Sequence, residues 1–152
     1  MLDGGYKNDL SLDEKVMMAI VRLAEVFKKS SSNIFKNYGL TFPQYNALRV
    51  LDSSDNKQNT ISNVSKIMLV SGANMTGIAK RLEKNGFILR KSDPSDERIT
   101  LLEITPKGRE RLKAISSEKD EGITRYLKTF SDEQKNEVLE LIRSVIRENS
   151  FE

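Results

Sequence analysis

The sequence predicts a mainly helical fold that carries one small β-hairpin. Three observations lead there. Apolar residues recur three or four apart over most of the 152 residues, the spacing of a helix with one buried face. Three of the periodic stretches open on a Ser or Thr with Glu or Gln three residues later: Ser11/Glu14, Thr41/Gln44 and Ser131/Gln134. That pairing satisfies free backbone N–H groups at a helix start. One region alone, Phe87 to Ile104, turns to strand-forming residues around a charged turn.

Each element follows in order. A first helix starts at Ser11 and turns Leu12, Val16, Ile20, Leu23, Phe27, Ile34 and Phe35 to one side; Gly39 suits a left-handed stop. Thr41 opens a second helix with Pro43 in its first turn, where the missing N–H costs little, and Tyr45, Leu48 and Leu51 form its buried stripe. Asp52 to Asn59 is polar and turn-rich and is expected to be a loop. A short helix from Thr60 to Met68 turns Ile61, Val64 and Ile67 inward. Ser71 caps the next helix, in which Met75, Ile78, Ala79 and Leu82 share a face and which Gly86 ends. Phe87 to Lys91 and Ile99 to Ile104 make the two strands, joined through Asp93-Pro94-Ser95-Asp96, a type I turn sequence. Thr105-Pro106 starts a long helix with Leu112, Ile115, Ile123, Tyr126 and Leu127 on its apolar side. Ser116 to Gly122 interrupts that period and marks a candidate bend. The last helix, after Ser131, lines up Val138, Leu141, Ile142, Val145 and Ile146. The chain has no internal repeat.

Composition removes several kinds of chemistry. The chain has no cysteine and no histidine, which takes away thiol redox sensing, thiolate metal sites and the commonest general base at neutral pH. The carboxylates lack metal-ligand spacing. We expect no enzyme, no metal and no cofactor. Met1 to Leu10 lacks the apolar core of a signal peptide, and no window approaches the ~20 apolar residues of a membrane span; a cytoplasmic location without a membrane partner is the expectation. Net charge is +3 but unevenly placed. Lys66 to Lys113 holds eleven Lys or Arg against six Asp or Glu, a net of +5, as a phosphate-binding surface requires.

A short helix, a brief turn, a second helix and a hairpin form a winged helix-turn-helix. The second helix fits the major groove of duplex DNA, which is about 12 Å wide, while the hairpin brings cations to the adjacent minor groove. With Met75, Ile78, Ala79 and Leu82 inward, the helix headed by Ser71 presents Ala73, Thr76, Gly77, Lys80, Arg81 and Lys84 outward, with Asn74 at the flank. Small residues permit close approach to base edges. Thr76 suits a base or a thymine methyl, and Asn74 suits adenine or a phosphate. Lys80, Arg81 and Lys84 suit phosphates, which position the protein without specifying sequence.

One block carries a family resemblance: Arg81-Leu82-Glu83-Lys84-Asn85-Gly86-Phe87-Ile88, then Arg90-Lys91, Asp93-Pro94, Asp96-Glu97-Arg98, Leu102 and Ile104-Thr105-Pro106-Lys107-Gly108. It closely resembles the MarR family of bacterial transcription regulators, over nearly the whole chain. The resemblance implies a homodimer built through the first and last two helices, bound to a pseudo-palindromic operator as a repressor. It implies that Arg98 enters the minor groove and that Asp96 holds this arginine in place, while Arg90 meets phosphate or braces the loop. Gly77 departs from the family pattern, standing where larger polar or basic residues are common, as does Lys80, standing where an acid is common. Many members bind small aromatic ligands between the dimer helices and the DNA-binding lobe; here Phe35, Tyr38, Phe42 and Tyr45 are the candidates to line such a pocket.

The expected division is therefore a dimerising helix over residues 1–40, a DNA-binding lobe over 41–104 and completing dimer helices over 105–152. The alternative is a winged-helix module that binds protein and reads no DNA sequence. The cationic set Lys80, Arg81, Lys84 and Arg98 argues against it.

Overall fold

The computed structural model describes residues 6–150. Six α-helices and three short strands follow among these residues in the order α1 (Leu12–Lys36), α2 (Phe42–Asp52), β1 (Gln58–Thr60), α3 (Ile61–Met68), α4 (Gly72–Lys84), β2 (Ile88–Ser92), β3 (Thr100–Ile104), α5 (Pro106–Leu127) and α6 (Asp132–Asn149), with one 3-10 turn, Asp55–Lys57, before β1. Two compact units divide the chain, Met1–Ile115 and Ser116–Glu152, with the boundary inside α5.

The helix starts are set by side chains. Ser11 Oγ accepts from Glu14 N, and Thr41 and Gln44 complete a reciprocal box, as do Ser131 and Gln134. Each box satisfies two of the backbone donors that a helix start leaves open. Ser71 Oγ accepts from Asn74 N at the head of α4. Gly39 follows α1 with φ +71° and Gly86 follows α4 with φ +77°, the left-handed region that glycine enters without penalty.

In the first unit α2, α3, α4 and the sheet enclose one apolar core. Leu48, Leu51, Val64, Met75, Leu82, Ile88 and Leu102 are fully buried in it. The four inward residues expected of α4 are all buried. Two expectations are corrected here. Ile67 is 57% exposed; the inward line of α3 runs through Ile61, Val64 and Met68 instead. Residues 52–59 are not all loop, because Gln58–Thr60 is a strand antiparallel to β3, with Asn59 opposite Leu102. The sheet order is β1-β3-β2, and β2 meets β3 in register from Ile88 opposite Ile104 to Ser92 opposite Thr100.

The base of the hairpin is tied to the start of α5. Thr105 Oγ1 donates to Gly86 O, and Lys107 Nζ donates to Asn85 O. The Phe87 ring lies under Lys107 and Arg111, 5.2 and 5.1 Å from its centroid. Gly108 packs so closely that an added Cβ would lie 2.4 Å from Phe87 O. The candidate bend is absent: α5 is one unbroken helix through Ser116 to Gly122.

In the second unit α6 keeps its apolar residues at helical spacing, and Val138, Leu141, Val145 and Ile146 are exposed. In the first unit α1 likewise exposes Leu12, Val16, Val21, Leu23 and Val26. No helix among the described residues is long and apolar enough to cross a membrane.

Candidate nucleic-acid interface

The turn between α3 and α4 is made without glycine. Leu69 takes φ +54°, a conformation uncommon for a branched side chain. Two bonds between Ser65 and Val70 hold it, Val70 N to Ser65 O and Ser65 Oγ to Val70 O. This places the head of α4 in solvent, with Ser71, Gly72, Ala73 and Asn74 all exposed.

Four residues at the head and on the outward face of α4 have distinct chemistry. Ser71 is committed as the cap. Thr76 Oγ1 donates back to Gly72 O at 3.0 Å, so its proton is spent within the helix and it offers a methyl group and an acceptor. The Asn74 side-chain amide makes no hydrogen bond to the described residues and remains available in both directions. Gly77 leaves open space, since a Cβ there would meet nothing within 4 Å. Its glycine is not demanded by packing inside the chain.

The cations divide into tied and untied. Arg90 is tied: Glu83 accepts from its backbone N and from Nε and Nη2 at 3.0 and 2.9 Å. The pair joins the last turn of α4 to β2, so Arg90 braces the wing. These bonds hold the Glu83 carboxyl below its ordinary pKa. Lys91 pairs with Glu103 across the strands. Lys80, Arg81 and Lys84 are exposed and form no ion pair with the described residues.

Arg98 is held and still presented. Asp96 accepts from its backbone N at 3.1 Å, from Nε at 3.0 Å and from Nη2 at 3.0 Å, while the Arg98 side chain remains 90% exposed. The Arg98 side chain, then its backbone N–H, keeps the Asp96 carboxyl below its ordinary pKa. At the tip, Asp93 Oδ1 accepts from Ser95 N, an Asx turn that stiffens the loop. The geometry leaves a cation exposed to solvent without leaving its stem loose.

The four aromatic candidates come together in the first unit. Phe35 stacks on Tyr45 at 4.2 Å and 15°, and Phe42 lies 5.9 Å from both Phe35 and Phe27. Tyr38 packs beside the same core. The rings pack on one another. A separate hollow of about 410 Å³ is bounded by Lys36, Gly39, Thr41, Gln44, Arg81 and Lys84. The sequence analysis did not bring Lys36 or Gln44 beside Arg81 and Lys84; a cation just before a helix stop and cap was the available signal. No group of acidic residues able to hold a metal occurs among the described residues.

Residues 29–115, more than half of the chain, match the family model for the transcriptional regulator SarA/Rot. The chain is 28% identical over 109 residues to the HTH-type transcriptional regulator TtmR of Methylorubrum extorquens, covering 72% of this chain and 55% of that protein. It thus spans about half the length of this relative. Among solved structures it resembles Sco3205, a MarR family transcriptional regulator of Streptomyces coelicolor in complex with DNA. That likeness has a TM-score of 0.85 at 20% identity, over 96% of this chain and 93% of that one. It also resembles CouR of Rhodococcus jostii RHA1, bound to p-coumaroyl-CoA, with a TM-score of 0.82 at 20% identity over 95% and 100% of the chains. These two likenesses establish the shared fold. Matched by the SarA/Rot model over more than half of its length, the chain belongs to the SarA/Rot family of transcriptional regulators, and its winged helix-turn-helix shares the fold of MarR family structures.

Proposed function

We propose that this chain binds a pseudo-palindromic duplex operator as a homodimer and represses transcription until a small ligand releases it. The observation that carries the reading is the outward face of α4, where among the described residues the Asn74 amide is unbonded, Gly77 is open and the three cations Lys80, Arg81 and Lys84 have no ion pair, next to an exposed Arg98 seated on Asp96. Asn74 and the methyl of Thr76 read base edges in the major groove, Gly77 and Ala73 allow close approach, and Ser71 orders the helix start that does so. Lys80, Arg81 and Lys84 meet phosphates. Arg98 enters the minor groove, where the potential is most negative.

Dimerisation draws on the exposed apolar faces of α1 and α6, in the stretches 1–40 and 105–152, with 41–104 as the DNA-binding lobe. A two-fold dimer presents its two α4 helices to half-sites about 34 Å apart. For the ligand, the ring cluster of Phe35, Tyr38, Phe42 and Tyr45 is the candidate seat for a small aromatic molecule; CouR, bound to p-coumaroyl-CoA, supplies the precedent. Titrating aromatic acids and their thioesters into the duplex complex tests this part: release by one of them supports it, and no release by any removes it.

The main test is Arg98→Ala in a gel-shift assay on a duplex selected from a random pool. Weaker binding supports the wing role, and unchanged affinity refutes it. Steep loss of affinity with salt is also expected, because each neutralised phosphate adds about 0.9 to the slope of log K against log salt.

A further inference from the structure

The hollow bounded by Lys36, Gly39, Thr41, Gln44, Arg81 and Lys84 carries three cations and no carboxylate. None of the three is ion-paired with the described residues. Three other cations of the first unit are matched, Arg90 by Glu83, Lys91 by Glu103 and Arg109 by Asp52, whereas these three share one hollow without an acid. Gathering like charges around a concave surface is unfavourable until an anion enters. The lining adds a neutral residue with an amide donor, Gln44. Gln44 is only 7% exposed; its Oε1 accepts from Thr41 N at 3.0 Å, while its Nε2 makes no hydrogen bond to the described residues. The set is one of cations around an amide N–H, suited to phosphate oxygens.

The position of the hollow selects the source of that phosphate. Lys84 lies seven residues beyond Gly77 on α4, about 10 Å along the helix at 1.5 Å per residue. With Gly77 at the floor of a major groove about 12 Å wide, that distance carries Lys84 out to the groove wall, where the phosphates run. Lys36, Arg81 and Lys84 are all exposed, so the hollow opens to solvent and admits a group borne on a polymer.

We propose that this hollow is a phosphate subsite that holds one backbone phosphate of the bound duplex, with Lys36 and Gln44 joining the interface from outside the recognition helix. The subsite rests on the duplex-binding reading above. It clamps the C-terminal end of α4 against the strand and contributes affinity without sequence preference.

The test is fluorescence anisotropy across a salt series with wild type, Lys36→Gln and Gln44→Glu, on the selected operator and on an unrelated duplex. Lys36 is exposed in the last turn of α1, so its replacement leaves the fold in place; Glu at 44 keeps the acceptor that caps Thr41. One lost phosphate contact lowers the slope by about 0.9 and the affinity about five- to tenfold near 0.1 M salt. The expected result is that loss for Lys36→Gln, equal on both duplexes, and a larger one for Gln44→Glu. Unchanged affinity and slope for Lys36→Gln, with Arg98→Ala still weakening binding, overturns the subsite and leaves the duplex reading standing. Failure of the wild type to bind any duplex overturns both. A final arm titrates inorganic phosphate against chloride at equal ionic strength, following the Gln44 side-chain amide by NMR. Saturable phosphate binding combined with an unchanged duplex affinity in Lys36→Gln assigns the hollow to a free anion and overturns the duplex source.

Discussion

Replacing Gly77 by alanine separates what the helix wants from what the groove wants. Glycine in a helix interior is about 1 kcal/mol less favourable than alanine. At Gly77 the added methyl meets nothing within 4 Å and the backbone is not in the left-handed region, so no clash offsets the gain. Gly77→Ala therefore stabilises the fold by about 1 kcal/mol, roughly a fivefold shift in the folded-to-unfolded ratio. The same methyl stands on the outward face, between Ala73 and Lys80 along the helix. If α4 approaches base edges there, the methyl pushes the helix back and weakens the contacts made by Asn74 and Thr76. One good base contact is worth about 1–3 kcal/mol, so operator affinity falls by about five- to 150-fold while an unrelated duplex is affected less. Urea unfolding measures the first effect and anisotropy on the two duplexes measures the second. The signs are opposite, which makes the pair diagnostic. Higher stability with unchanged operator affinity would refute the idea that Gly77 is kept for close approach.

Other expectations follow from the same geometry. Gly108→Ala forces a Cβ to 2.4 Å from Phe87 O and 2.8 Å from Ile104 Cγ1; overpacking of this kind costs about 1–3 kcal/mol or more, so the urea midpoint drops, and an unmoved midpoint would contradict the tight seat of α5 on the hairpin base. Asp96 has a depressed pKa, so its bond to Arg98 is present above the ordinary carboxylate value and is lost as pH falls through the lower, folded-state value. A carbon-13 titration of its carboxyl should have a midpoint below 3.8, and a midpoint at or above 3.8 would count against the held arginine. Leu141 is 67% exposed on α6; burying a leucine is worth about 1.5–3 kcal/mol, counted twice in a two-fold dimer. Leu141→Glu should thus shift sedimentation toward the monomer mass, and an unchanged mass would remove α6 from the dimer contact.

Local signals placed most of the fold. The Thr41/Gln44 and Ser131/Gln134 boxes and the Ser71 cap each act within four residues, so they are written in consecutive letters and the structure repeats them. What depends on distant partners was harder to read. Gln58–Thr60 is polar and short, and it becomes a strand only because β3 lies beside it. Ile67 sits one step off the line from Val64 to Met68, and periodicity alone did not choose between them. Ser116 to Gly122 lacks apolar spacing, which signalled a break; it holds no proline, and α5 continues through it as a helix exposed on most sides. At the candidate site the residue types were legible, while their pairings were not. The back-bond of Thr76, the choice of Glu83 by Arg90, and the approach of Lys36 and Gln44 to Lys84 all need the folded chain.

The fork between Glu83 and Arg90 bears on how freely such a protein can change its target. The acceptor sits on α4, the helix proposed to enter the groove, and the donor sits on β2, the strand that leads to the wing. A transplanted helix lacking an acid at this position would arrive with its wing unhitched, and both contacts with the duplex would shift together. Retargeting by exchange of α4 alone is therefore constrained to outward residues that leave Glu83 in place. On the proposed function, helix and wing then act as one reading head, joined at Glu83 and Arg90.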